Sequence, residues 1–155
     1  QLMEEVFFSF TFSGETLSLV AALATMQKLE REPVTDTLYT QGRKVMDGLK
    51  ACIAAAGAED FLGAAGNPTW SFFLIKDTAN YSQWQIKTLF LQEMFARGIL
   101  IIGTHNMSYS HTDADLDKLF NAYNEVIPML VEGVRGNKLE SMLRCQSLEP
   151  LFKVR

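Results

Sequence analysis

At 155 residues the chain has the length of one ordinary domain, and 48% hydrophobic against 21% charged residues is the balance of a chain with a core rather than a disordered one. A formal charge of −4 and the lack of any run of Lys and Arg exclude a general phosphate-backbone binder, so no nucleic-acid partner is expected. No apolar stretch is long enough to span a membrane. Cys52 and Cys145 have neither metal-ligand nor Cys-x-x-Cys spacing, and read as free thiols of a reducing, cytoplasmic compartment.

Taken in order, the chain opens at Gln1 and soon enters Val6-Phe-Phe-Ser-Phe-Thr-Phe12, where Phe8, Phe10 and Phe12 alternate with Ser9 and Thr11. Period two predicts an extended segment, broken by Ser13-Gly14. After Glu15, Leu19, Leu23, Met26 and Leu29 share a helical face, with Ala21, Ala22 and Ala24 permitting close approach of a neighbouring backbone. A second helix is predicted from about Pro33 to Ala56 on the spacing of Leu38, Val45, Leu49, Cys52 and Ala56, with Gly57 as its left-handed stop. Turns and one short strand are expected over residues 58–69, and Trp70-Ser-Phe-Phe-Leu-Ile75 is a strand by its ring and branched content.

A third helix is expected over Tyr81–Arg97, with a stripe of Trp84, Thr88, Leu91 and Phe95 widened by Leu89, Phe90 and Met94, and closed by Gly98. Ile99-Leu-Ile-Ile102 reads as a short buried strand, Gly103–Asn106 as a turn, and Met107–Ser110 as a further short strand. Thr112 with Asp113 and Asp115 reads as an N-cap with acids in the first turn. The helix it opens carries Leu116, Leu119, Phe120, Tyr123, Val126, Ile127, Leu130 and Val131 on one face, and Pro128 is expected to kink it or break its last turns. A short helix over residues 137–144 and a tail complete the chain. The simplest arrangement is an α+β sandwich with helices on one face of a small sheet, in which the Trp70 strand, the third helix and the Ile99 strand form a crossover unit.

Few residues here carry chemistry. Ser9 to Thr16 sets hydroxyls and a glycine where an extended segment meets a helix start. That suits either an anion site on free amides or simple capping by Ser13 or Thr16. His105 and His111 complete no metal motif and are expected in structural or surface roles, so no metal is expected. Asp113, Asp115 and Asp117 lack the glycine and terminal glutamate of a calcium loop. No Ser-His-Asp or Cys-His order suggests a nucleophile, and no lysine is marked as catalytic, so no catalytic residue is assigned.

Phe10-Thr-Phe-Ser-Gly-Glu-Thr16 followed by an alanine-rich helix, then Arg97-Gly-Ile99, then His111-Thr-Asp-Ala-Asp-Leu-Asp117, together resemble the C-terminal part of the class III, fold-type I pyridoxal-phosphate-dependent aminotransferases and glutamate-1-semialdehyde aminomutases. The resemblance runs from about Phe7 to Val131. Phe10 stands where that family has glycine, and Glu15-Thr16 where it has Asn-Pro. The resemblance implies that Thr11 contacts the phosphate of pyridoxal 5'-phosphate across a homodimer interface. It also implies that residues 1–30 end the cofactor domain and its linking helix, and that residues 31–155 form a C-terminal small domain. The Schiff-base lysine of that family precedes the threonine motif, so the expectation is a piece of a transferase or isomerase that moves an amino group to or within a small keto or aldehyde substrate. The piece by itself is expected to be inactive and to bind no cofactor stably. The alternative is a non-catalytic binding or dimer-assembly module with the same fold.

Overall fold

The computed structural model describes residues 14–150, and Thr11 with its flanking segment lies outside them. The chain divides between Asp36 and Thr37 into two compact units. The first carries helix α1, Thr16–Arg31. Its N-cap is Glu15 rather than Ser13 or Thr16: the carboxylate accepts from the Leu17 amide at 2.9 Å and the Ser18 amide at 2.6 Å. A carboxylate does the capping work of a hydroxyl here because it also answers the positive end of the helix. No residue of α1 is buried, and Leu19, Leu23 and Met26 of the expected face are exposed.

The second unit holds most of helix α2 (Val34–Ala55), strands β1 (Leu62–Asn67) and β2 (Trp70–Ile75), helix α3 (Gln83–Ala96), strand β3 (Thr104–Asn106), helix α4 (Asp113–Arg135) and the single turn α5 (Leu139–Met142). The three strands form one antiparallel sheet in the order β1-β2-β3. The α+β class read from the sequence therefore stands. The crossover unit does not, because β3 runs antiparallel to β2 and a crossover requires parallel strands.

Alternation along β2 places Ser71 and Phe73 inward and leaves Trp70, Phe72 and Leu74 exposed on the other face. The inner face meets Leu49 and Ile53 of α2, Leu89, Phe90 and Met94 of α3, and Tyr123, Val126, Ile127 and Leu130 of α4 in one core. Gly57 ends α2 at φ +60°, as its position predicts. Asn67 Oδ1 accepts from both the amide and the hydroxyl of Thr69, which folds the two-residue loop between β1 and β2.

Local pattern and structure differ in places, for definable reasons. The buried face of α3 is Ile86, Thr88, Leu89, Phe90, Glu93 and Met94, so Thr88, Leu89, Phe90 and Met94 of the expected face do point inward, whereas Phe95 of the expected stripe is 47% exposed. This helix is apolar nearly all round, so spacing alone could not choose its inner side. Ile99–Ile102 is not a strand: Leu100 is 90% and Ile102 66% exposed, and only Ile101 is buried. Instead Gly103 at φ +94° accepts from the Phe73 amide and delivers Thr104–Asn106, read as a turn, into the sheet, while no strand forms over residues 107–110. Of the two outcomes expected at Pro128, the break does not occur: the proline lies inside α4 and the helix continues to Arg135. The packed side chains Val126, Ile127 and Leu130 around that position hold the helix despite the missing donor.

The core has one polar chain through it. Ser71 on β2 and His105 on β3 are directly opposed in the sheet register, and Ser71 Oγ lies 3.0 Å from His105 Nδ1. His105 Nε2 is hydrogen-bonded to the hydroxyl of Tyr123 on α4, whose ring meets Phe73 and Phe90. A neutral imidazole has one donor and one acceptor, and two hydroxyls complement either tautomer. Burial lowers the His105 pKa from 6.5 to about 4 and raises that of Tyr123.

Two predictions follow from this packing. A Cβ built on Gly42 lies 1.8 Å from the Pro68 carbonyl oxygen, whereas Gly57 has open space around it and only its φ to lose. Gly42→Ala is expected to cost about 3 kcal/mol in urea denaturation and Gly57→Ala about 1 kcal/mol. Equal costs would mean that the α2 contact with the β1–β2 turn is not tight. The folded state holds His105 neutral, so its contribution is intact above the unfolded-state value of 6.5 and is lost as pH falls from there toward 4. Acid should remove up to about 3 kcal/mol across that window. His105→Gln should flatten the acid limb, and a His105 ring that titrates near 6.5 by NMR would contradict the burial argument.

Candidate functional site

A cleft of about 450 Å³ opens between the loop after α3, strand β3 and the first turns of α4. Its walls include Ile99, Ile101, Met107, Leu116 and Leu119, with Val45 of α2 behind. Gly98 at φ +72° turns the chain out of α3 to start this loop. The polar groups on the cleft are Thr104, His105, Asn106, His111, Asp115 and Lys118.

The groups that could exchange protons are mostly engaged in holding backbone. His105 has both ring nitrogens bonded. His111 is exposed and its Nδ1 accepts from the Ser108 amide, which is the surface role read from its place before the helix cap. Thr112 and Asp115 form a complete capping box: the Thr112 hydroxyl accepts from the Asp115 amide at 3.3 Å, and Asp115 Oδ2 accepts from the Thr112 amide at 2.8 Å. These bonds from Thr112 hold the Asp115 carboxyl below the usual carboxylate range. Lys44 Nζ reaches Asp113 at 2.8 Å, so α2 is tied to the same helix start. The arrangement offers an apolar slot with a polar rim for contact with a small ligand, and no nucleophile with a base beside it.

Most of the hydroxyl-rich segment before α1, residues 9–13, lies outside the described residues. At the start of α1 the Leu17 and Ser18 amides donate to the Glu15 carboxylate. Bonds from Ser18 and Leu17 hold the Glu15 carboxyl below its ordinary range, so it is charged at neutral pH. Thr11, the cofactor-binding residue implied by the resemblance, lies outside the described residues.

The residues that would hold pyridoxal phosphate are not assembled among the described ones. Among the described residues the buried polar side chains are Ser71, Thr88, Glu93 and His105, with no lysine among them, and the N-terminus of α1 is capped by a carboxylate. No metal-ligand cluster occurs among the described residues. Cys52 and Cys145 are both free. The Cys52 thiol donates to Asn124 Oδ1 at 3.1 Å and burial pushes it up, which disfavours the thiolate. No helix among the described residues is long and apolar enough to cross a membrane.

Sequence reasoning missed the Ser71–His105–Tyr123 chain and the burial of Glu93. Single polar residues within apolar runs were the available signal, but pairing them requires the register of β2 against β3.

Comparison with known proteins finds relatives at low identity. Glutamate-1-semialdehyde 2,1-aminomutase of Desulforudis audaxviator is 27% identical over 138 residues, covering 79% of this chain and 31% of the relative. The 3-aminobutyryl-CoA aminotransferase of Cloacimonas acidaminovorans is 28% identical over 127 residues, covering 80% and 30%. The Methanopyrus kandleri aminomutase is 24% identical over 135 residues, covering 81% and 31%. No family model matches, and no solved structure gives a significant match. The chain spans about 30% of the length of these curated relatives and aligns with their C-terminal portion. It is thus similar, over most of its length and at low identity, to the C-terminal portion of glutamate-1-semialdehyde 2,1-aminomutases and of an aminotransferase.

Proposed function

We propose that this chain is the C-terminal part of a pyridoxal-phosphate-dependent aminotransferase or aminomutase, transferring an amino group to or within a small keto or aldehyde substrate. The observation that carries the reading is the collinear similarity of about four-fifths of the chain to the C-terminal portions of an aminomutase and an aminotransferase. In this reading residues 1–30 end the cofactor domain and its linking helix, and residues 31–155 are the small domain of a cytoplasmic homodimer. Thr11 reaches the cofactor phosphate across the dimer interface. Pyridoxal phosphate, when bound, supplies the electron sink for proton transfer next to the amine.

The described residues contribute shape rather than acid–base chemistry. The cleft along Ile101, Met107 and Leu116 supplies apolar walls that exclude water, and Thr104 and Asn106 supply donors and acceptors at its rim. His105 stays neutral and immobile behind that wall, so it positions β3 and does not shuttle protons.

A second reading, a non-catalytic binding or dimer-assembly module, is favoured by one observation. Leu19, Leu23 and Met26 of α1 are exposed, and a helix with no buried residue is marginal until something covers it. The two readings separate in the purified 155-residue chain and in the gene around it. The catalytic-fragment reading expects no amino transfer and no visible absorbance of bound cofactor from the chain alone, with a lysine-bearing cofactor domain encoded upstream in frame. Turnover by the chain alone would overturn its inactivity, and a start codon adjacent to Gln1 would favour the module.

A further inference from the structure

Residues 143–150, which follow α5, have no regular structure, and part of this stretch is bonded to α3. Among the described residues the bonds that hold it there come from α3 side chains rather than from a backbone ladder. The amide of Arg144 donates to Gln92 Oε1 at 2.6 Å, and Gln92 Nε2 donates to the Met142 carbonyl at 3.0 Å. One turn earlier on the same helix, Thr88 Oγ1 accepts from the Leu148 amide at 2.9 Å while donating to the Trp84 carbonyl at 2.6 Å. The segment therefore runs antiparallel to α3 with anchors at its two ends.

The two anchors do not match in length. Thr88 and Gln92 are separated by about 6 Å of helix rise, whereas four residues of extended chain reach about 13 Å. Residues 145–147 therefore do not run fully extended between the anchors. A groove of about 560 Å³ lies there, lined by Leu91 and Phe95 of α3 and by Cys145 and Leu148 of the segment. In this stretch the Ser147 hydroxyl is buried without a hydrogen-bond partner.

One charge stands at the first anchor. Glu93 is buried, and its carboxylate receives Arg144 Nη2 at 2.6 Å, Gln92 Nε2 at 3.0 Å and Arg97 Nη1 at 3.0 Å. Arg97 also pairs with Glu125 of α4 at 2.8 Å, so the carboxylate ties the segment to two helices. Burial pushes the Glu93 carboxyl up, but the bonds from Gln92, Arg144 and Arg97 outweigh it and keep the group below the usual carboxylate range. The α3 anchor for Leu148, by contrast, is a single neutral bond.

We propose that residues 143–148 are a releasable strap across α3, latched as one unit by the Glu93 carboxylate, whose opening bares the α3 flank of Thr88 and Leu91. This device is independent of the catalytic reading, since it uses none of the residues assigned to that site.

Amide hydrogen exchange on the 155-residue chain tests it, because Leu148 reports on the latch without touching Glu93. In Glu93→Gln, both the Arg144 and the Leu148 amides should exchange about tenfold faster, while Val126 and Ile127 amides in α4 keep their rates. If Glu93→Gln does not fold, Arg144→Gln removes the same ion pair from its exposed side and should give the same pair of accelerations. Thr88→Val should in turn speed Arg144 only slightly, because the latch remains. An Arg144 amide that accelerates with Leu148 unchanged would make Glu93 a local contact and overturn the strap. Acceleration of Leu148 only in step with the α4 amides would overturn it too, by assigning the effect to global unfolding.

Discussion

The buried contact Ser71–His105–Tyr123 is the constraint on which the second unit's architecture depends. It joins two strands and a helix, and His105 has both ring nitrogens satisfied only if Ser71 and Tyr123 are both in place. A slip of one residue between β2 and β3 would turn Ser71 or His105 to the other face and leave buried polar atoms unpaired. Hydrophobic burial would tolerate several packings of Phe73, Phe90 and Tyr123. The hydrogen-bond chain selects one, and so sets which way the loop after α3 faces and where the cleft opens.

Several charged groups serve the fold itself: Glu15 caps α1, Asp115 completes the box at α4, and Glu93 gathers two arginines, while neutral Gln85 closes the box with Ser82 at α3. Carboxylates held in this way are fixed and of low proton affinity, the opposite of what a general acid or base near neutral pH requires. The cleft accordingly presents apolar walls and an Asp115 carboxylate already committed to a cap.

The surfaces left uncovered are unevenly distributed. Trp70, Phe72 and Leu74 line the outer face of the sheet, and Leu100 and Ile102 stand out from the loop beside it. Exposed rings and branched side chains at this density are the usual mark of a surface meant for contact. The inner face, by contrast, is filled by three helices with no buried polar atom of the Ser71–His105–Tyr123 chain left unpaired.

Elements whose signals are local were legible along the chain. The α4 face from Leu116 to Leu130 has a strict period, Thr112 and Asp115 form a self-contained cap, Gly57 and Gly98 stop helices with positive φ, and the Trp70–Ile75 strand is rich in rings. The family resemblance was legible for the same reason, since it rests on short motifs in fixed order. The inner side of α3 was settled by packing against Phe73 and Tyr123, because apolar residues surround that helix. The fold also exchanged Ile99–Ile102 for Thr104–Asn106 as the third strand: branched residues favour a strand, but a ladder needs a partner in register, and Ser71 offers one to His105. Pairing across the chain is a property of distance in space, and a linear pattern does not contain it.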